Sequence, residues 1–161
     1  MKHSVPIPLL ACLILGGCST HVVFQEDAEV PGGSWNRSWK PQFAFDITDT
    51  LAQRDVYIDI RHTGDYPFSN LYLFTTMAGP DGQQHTDTVE CTLADPSGRW
   101  YGKGTGFIFS DRVKAHVLYR MNNQFPRSGR YVFTLEQAMR TGELPGVIDV
   151  GISVEEAPAR R

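Results

Sequence analysis

The residues of this chain with the means to do chemistry are three cysteines, five histidines and a glycine-lysine run, Gly102-Lys103-Gly104-Thr105-Gly106. The glycine-lysine run invites a phosphate loop, but such a loop needs Gly, four residues, then Gly-Lys-Ser/Thr opening a helix. Phe107-Ile108-Phe109 follows instead, so a hairpin or bulge is expected. The histidines are scattered at His3, His21, His62, His85 and His116. His85-Thr86-Asp87 puts two potential ligands on one strand face, but a zinc site needs three or four that converge. No Gly-x-Ser-x-Gly elbow places a serine nucleophile. Glu155-Glu156 reads as a charged terminus rather than a catalytic carboxylate pair. Cys91 alternates with polar neighbours (Thr88, Glu90 and Thr92 against Val89, Cys91 and Leu93), as a small buried hydrophobe does. An enzyme is not expected. A hydrolase would require His, Asp or Glu converging in a deep pocket.

Cys18 is different because of what precedes it. Met1-Lys2-His3 opens with positive charge, an apolar stretch runs from Ser4 to Leu15, and Leu15-Gly16-Gly17 leads into the cysteine. That order describes a secretory signal peptide over residues 1–17. It is too short for a membrane span, which needs roughly 20 apolar residues, and Pro6 and Pro8 interrupt it. Small residues ending at a cysteine resemble the lipobox of bacterial lipoproteins, whose cysteine sulfur receives a diacylglycerol and whose new amino group is usually acylated, as with palmitate. The expected cofactor complement is therefore none beyond covalent lipid on Cys18. The expected membrane attachment is through that lipid.

Loss of residues 1–17 takes Lys2 with it, leaving 14 basic against 18 acidic side chains and a formal net charge of −4. A mildly acidic chain without a basic run is a poor match for nucleic acid. Cys12 leaves with the signal and Cys18 carries lipid, so no disulfide is expected.

The rest of the chain must position whatever acts. Residues 18–36 read as a lipidated N-terminus and polar, Gly-rich tether, 37–157 as one domain, and 158–161 as a tail. Period-two alternation over Phe43–Ile47 and Val56–Arg61 marks strands. Leu71-Tyr72-Leu73-Phe74 is a continuous apolar run, as in a strand covered on both faces. Val113–Tyr119, Tyr131–Leu135 and Val147–Val154 add more strands, with turn signals such as Gly79-Pro80-Asp81-Gly82 and Asp95-Pro96-Ser97-Gly98 between them. The one helical candidate is Leu135–Arg140. The expected fold is all-β: a single antiparallel β-sandwich, Ig-like or jelly-roll-like, with at most one short helical turn.

Several segments, taken in order, resemble the GldH-type gliding-motility lipoproteins of Bacteroidetes. They are the lipobox with Trp35 and Trp39 after it, and Asp59-Ile60-Arg61 followed by Tyr66-Pro67-Phe68-Ser69-Asn70-Leu71-Tyr72-Leu73-Phe74. Further along come Asp87-Thr88, Leu93-Ala94-Asp95, Gly98-Arg99-Trp100-Tyr101-Gly102 and Gly129-Arg130-Tyr131. Gln137-Ala138-Met139-Arg140 and Val147-Ile148-Asp149-Val150-Gly151 complete the set. The resemblance implies a non-catalytic envelope lipoprotein, associated with the gliding machinery and its linked type IX secretion apparatus and working among other envelope proteins. Relatives also occur in bacteria that do not glide.

Within these segments Arg61, Tyr66, Asn70, Trp100, Gln137 and Arg140 are the candidate contacts for a partner or ligand, against a bland role in fixing corners. Ser19 and Thr20 after Cys18 point to the outer membrane, and the absence of an acidic run there to its periplasmic leaflet. The alternative is a lipid-anchored glycan-binding module, which would show Trp or Tyr lining an open groove with polar neighbours.

Overall fold

The computed structural model describes residues 21–104 and 112–158. The signal peptide, Cys18, residues Thr105 to Phe109 of the apparent loop, and the end of the tail lie outside them. The strands are β1 (Val22–Glu29), β2 (Ser34–Asn36), β3 (Gln42–Ile47), β4 (Arg54–Thr63), β5 (Asn70–Ala78) and β6 (Gln84–Thr92). They continue as β7 (Lys103–Gly104), β8 (Arg112–Asn123), β9 (Gly129–Gln137), β10 (Glu143–Pro145) and β11 (Val147–Glu156).

Two sheets form the layers of a sandwich. One has the order β1-β11-β4-β8-β7, the other β3-β9-β5-β6, and β10-β2 makes a small ribbon beside them. Every strand pairing among the described residues is antiparallel. The inner faces follow the alternation read from the sequence. Phe43, Phe45 and Ile47 of β3 and Leu71 and Leu73 of β5 meet Val56, Ile58 and Ile60 of β4 and Val150, Ile152 and Val154 of β11, all buried. Cys91 is fully buried among them, and burial pushes its thiol up to about 12. It is an inert core residue.

Three expectations need correction. The run Leu71–Phe74 is not covered on both faces: Leu71 and Leu73 point inward while Tyr72 and Phe74 are 38% and 43% exposed on the outer face. Period two applies whatever the residue types, and no layer lies over that face among the described residues. The helical candidate Leu135–Arg140 is instead the end of β9 and the bend after it, because Leu135 and Gln137 pair with Thr75 and Leu73 of β5. The helical turn is at Pro31–Gly33. Third, the stretch read as a tether is built into the sandwich. β1 pairs with β11 from Val22↔Glu155 to Glu29↔Asp149, and β2 pairs with β10 around a fully buried Trp35. An edge strand exposes most of its side chains and is held by its backbone ladder, so its composition reads as polar linker.

The glycine-lysine run behaves as expected over its described part: Lys103–Gly104 pairs with β8. Gly102 has φ +106, and a Cβ there would lie 2.3 Å from the Lys114 carbonyl oxygen, so only glycine fits.

Near the start of β9, Tyr131 makes a tyrosine corner. Its hydroxyl donates to the Arg127 carbonyl at 2.9 Å and accepts from the Arg127 N–H at 3.3 Å, while its ring packs on Phe45 and Phe125. Tyr131→Phe leaves those backbone groups without the hydroxyl and is expected to cost about 1–2 kcal/mol. Urea unfolding with an unchanged m-value checks this, and an unshifted midpoint would show that the corner contributes nothing.

Candidate interaction surface at the far end of the sandwich

The antiparallel ladders define two ends. At the leading end β1, β4 and β6 begin and β3, β5, β8 and β11 finish, with loops 48–53, 79–83 and 124–128. At the far end lie loops 37–41, 64–69, 93–102 and 138–142. These far loops are stitched by backbone bonds: Leu93 and Ala94 N–H to the Ser69 carbonyl, Ala138 N–H to Tyr72, Arg37 N–H to Gly142 and Thr63 N–H to Gly146. All six candidate contacts lie at or beside this end, though the segments that carry them are far apart in sequence.

They do not all do the same job. Tyr66 is buried, donates its hydroxyl to the Asn70 carbonyl at 2.9 Å, and packs its ring against His62, Phe68 and Trp100. Gln137 is fully buried. Its Nε2 donates to the Thr141 carbonyl at 2.9 Å and its Oε1 accepts from the Met139 N–H at 3.0 Å. Arg37 donates to the Met139 and Thr141 carbonyls from the other side, so the 138–142 bend is held at both flanks. Tyr66 and Gln137 therefore shape the surface from within.

The others reach it. Arg140 is exposed, and among the described residues no hydrogen bond or ion pair engages its guanidinium. Asn70 does not cap the turn after Pro67; its Nδ2 donates to Glu90 Oε1 at 2.7 Å across the outer face of the second sheet. Trp100 is half-buried, edge-on to His62 at 4.6 Å. Arg61 stands on the outer face of the first sheet, bonded to the buried Asp149 carboxylate.

Two groups escaped the sequence reading. His62 is fully buried behind Trp100, its Nδ1 within 2.9 Å of the Thr63 carbonyl and its Nε2 without a partner among the described residues. That geometry makes Nδ1 the protonated nitrogen of a neutral ring, and burial holds the imidazole pKa below its usual value despite the Thr63 carbonyl. The second group is Asp59, whose carboxylate is almost wholly buried on the outer face of β4. His116 Nδ1 meets one oxygen at 2.6 Å and Ser153 donates to the other at 2.5 Å. Burial would raise the Asp59 pKa, but these hydrogen bonds and the Lys114 charge outweigh it and hold the carboxyl low. The Asp59 hydrogen bond raises His116, against burial, and Glu155 at 3.5 Å adds to it.

Serine, histidine and aspartate thus meet, but not in a relay. The Ser153 proton goes to the carboxylate rather than to the imidazole, and Ser153 is itself buried. The chemistry available is a fixed charge pair. His85 and Asp87 contact each other at 3.1 Å, and among the described residues no three His, Cys, Asp or Glu side chains gather as metal ligands. Neither group was legible because cross-strand neighbours such as Asp59 and His116 depend on register, which the sequence does not print.

Residues 22–154 match the model of the family described as GldH lipoprotein. A protein from Christiangramia forsetii named gliding motility lipoprotein GldH homolog is 31% identical over 161 residues, covering 96% of this chain and 96% of that protein. Gliding motility lipoprotein GldH of Flavobacterium johnsoniae is also 31% identical, over 157 residues, with 93% and 94% covered. Among solved structures, a family GH115 4-O-methyl-alpha-glucuronidase with specificity for decorated arabinogalactans superposes with a TM-score of 0.47 at 11% identity. It spans 98% of this chain and 20% of its own, a likeness too slight to bear on function.

The two histidines should titrate in opposite directions from the usual 6.5. As pH falls from 6.5 toward the folded pKa of His62, the unfolded chain takes the proton first, so stability is lost over that interval. His116 favours folding fully below 6.5, and its contribution disappears as pH rises through its raised folded value. NMR titration of the two rings checks both, and Asp59→Asn should bring the His116 pKa down while leaving His62 in place. A His116 pKa indifferent to that change would remove the charge pair from the account.

Proposed function

Because the chain belongs to the GldH lipoprotein family, we propose that it is a lipid-anchored, non-catalytic component of the gliding-motility machinery and of the type IX secretion apparatus linked to it. Diacylglycerol on Cys18 is the anchor, in the outer membrane with the domain on the periplasmic side. The mechanism is confinement: a tethered domain meets its envelope partners at an effective concentration set by the tether rather than by bulk dilution.

The observation that supports this reading is the division of labour between the two ends. β1 begins four residues after Cys18, at the leading end, while Arg140, Asn70, Trp100 and Arg61 stand at or near the opposite one. The loops that carry them are braced from inside by Tyr66, Gln137 and Arg37. A braced surface offers a partner little ordering cost.

A second reading, a glycan-binding module, draws on one feature. Tyr101, 47% exposed, lines an open hollow of about 690 Å³ with Gln25, Asp59, Thr92, Lys114 and His116. An aromatic face among polar groups suits a sugar. The hollow lies along the side of the first sheet.

A photo-crosslinking amino acid at position 140 separates the readings in living cells. It should capture an envelope protein, the same probe at the exposed Thr88 should not, and Cys18→Ala should lose the adduct by releasing the domain from the membrane. Equal capture from positions 140 and 88, or none from 140 alongside polysaccharide binding lost in Tyr101→Ala, would overturn the partner reading.

A further inference from the structure

We infer that the leading end of the sandwich is a bilayer-docking surface, with the Leu51 side chain set into the lipid interface. This rests on the lipid anchor at Cys18 proposed above. Three residues separate Cys18 from Val22, and the four Cα-to-Cα steps, at roughly 3.5 Å each, reach no further than about 14 Å. β4 alone runs ten residues, about 33 Å. The anchor therefore holds one end of the domain against the headgroups and cannot let it drift a domain's length away.

What that end presents fits the lipid. Among the described residues the two most exposed large apolar side chains are Leu51, at 83%, and Met121, at 68%; both belong to the leading end, as do the exposed Val22 and Val23. Surface leucines scattered singly mean little. Leu51 is not simply scattered, because its loop is built to hold it outward. The Asp49 carboxylate accepts the Leu51 N–H at 2.8 Å and the Ala52 N–H at 3.2 Å. Arg54 donates to the Asp49 carbonyl at 2.8 Å and the Ala52 carbonyl at 3.3 Å, and Gln124 donates to the Leu51 carbonyl at 3.1 Å.

The loop's polar backbone groups are thus largely bonded within the protein. Moving its tip into a less polar medium strips little water from them, and the apolar side chain gains by leaving water. One neighbouring pair of charges is matched, Arg127 with Asp81 at 2.8 Å, and the His21 ring lies 3.8 Å from the Glu156 carboxylate. One leucine cannot hold a domain on a membrane. The acyl chains do the holding, and Leu51 sets the tilt, which stands the far end away from the bilayer.

The test uses the full lipidated protein in vesicles of phosphatidylethanolamine and phosphatidylglycerol. An environment-sensitive dye is placed on Leu51→Cys or, as comparison, on Arg140→Cys; Cys91 is buried and stays unlabelled. Flotation of the vesicles and mass spectrometry of Cys18 report the anchor separately. The dye at position 51 should be quenched several-fold more by nitroxide-labelled lipid than the dye at 140, which only aqueous iodide should reach. A second pair, dye on Met121→Cys with and without Leu51→Asp, should lose lipid quenching when the aspartate is present. Floating, acylated protein whose position 51 is as open to iodide as position 140 overturns the docking surface alone. Shielding from iodide without lipid quenching overturns it in favour of a protein cover. Unacylated protein that fails to float overturns both this inference and the anchor.

Discussion

β11, Val147–Glu156, hydrogen-bonds to β1 along one edge and to β4 along the other, and is buried over nearly its whole length. Its backbone donors and acceptors are cut off from water, so they are tolerable only because both neighbours lie in register. The closeness of β1 leaves no space for a side chain at Gly151, where a Cβ would come within 2.3 Å of the Glu26 carbonyl oxygen. The same register brings Ser153 to Asp59 and Asp149 to Arg61. The inner face of β11 gives Val150, Ile152 and Val154 to the core. Displacing this strand would unmake the core and the polar face together.

The two outer faces differ in kind. That of the first sheet is a mosaic of opposite charges, with Lys114 on Asp27, Arg61 on Asp149 and His116 between Asp59 and Glu155. Exposed pairs of this sort contribute little each, but Asp59 and Asp149 are buried, and a buried carboxylate needs its partner. That of the second sheet carries Tyr72 and Phe74 beside threonines and Glu90. Each sheet thus has one face specified by packing and one by its own pairing pattern.

The sandwich was legible because alternation is a local property: Phe43, Phe45 and Ile47 announce an inner face without knowledge of their partners. β1 was not, because an edge strand exposed along most of its length has the composition of a linker and is recognised only by its ladder. The helical reading of Leu135–Arg140 failed for a related reason, since six residues of suitable composition yield to pairing with β5. Of the candidate contacts, Arg140 is exposed and Asn70 half-buried on the outer face, whereas Tyr66 and Gln137 are braces rather than contacts. Type does not reveal burial when the polar atoms find partners inside.

The pairing of β1 with β11 also has a kinetic meaning. Val22 and Glu155 stand more than a hundred positions apart, so β1 finds its partner only when a strand near the far end of the sequence has folded. Until then β4 lacks a neighbour on that side, and an unpaired edge invites association with other chains. Closing such a distant contact is slow. The folding domain therefore spends an interval open along one seam, when a bystander that shields bare edges would matter most.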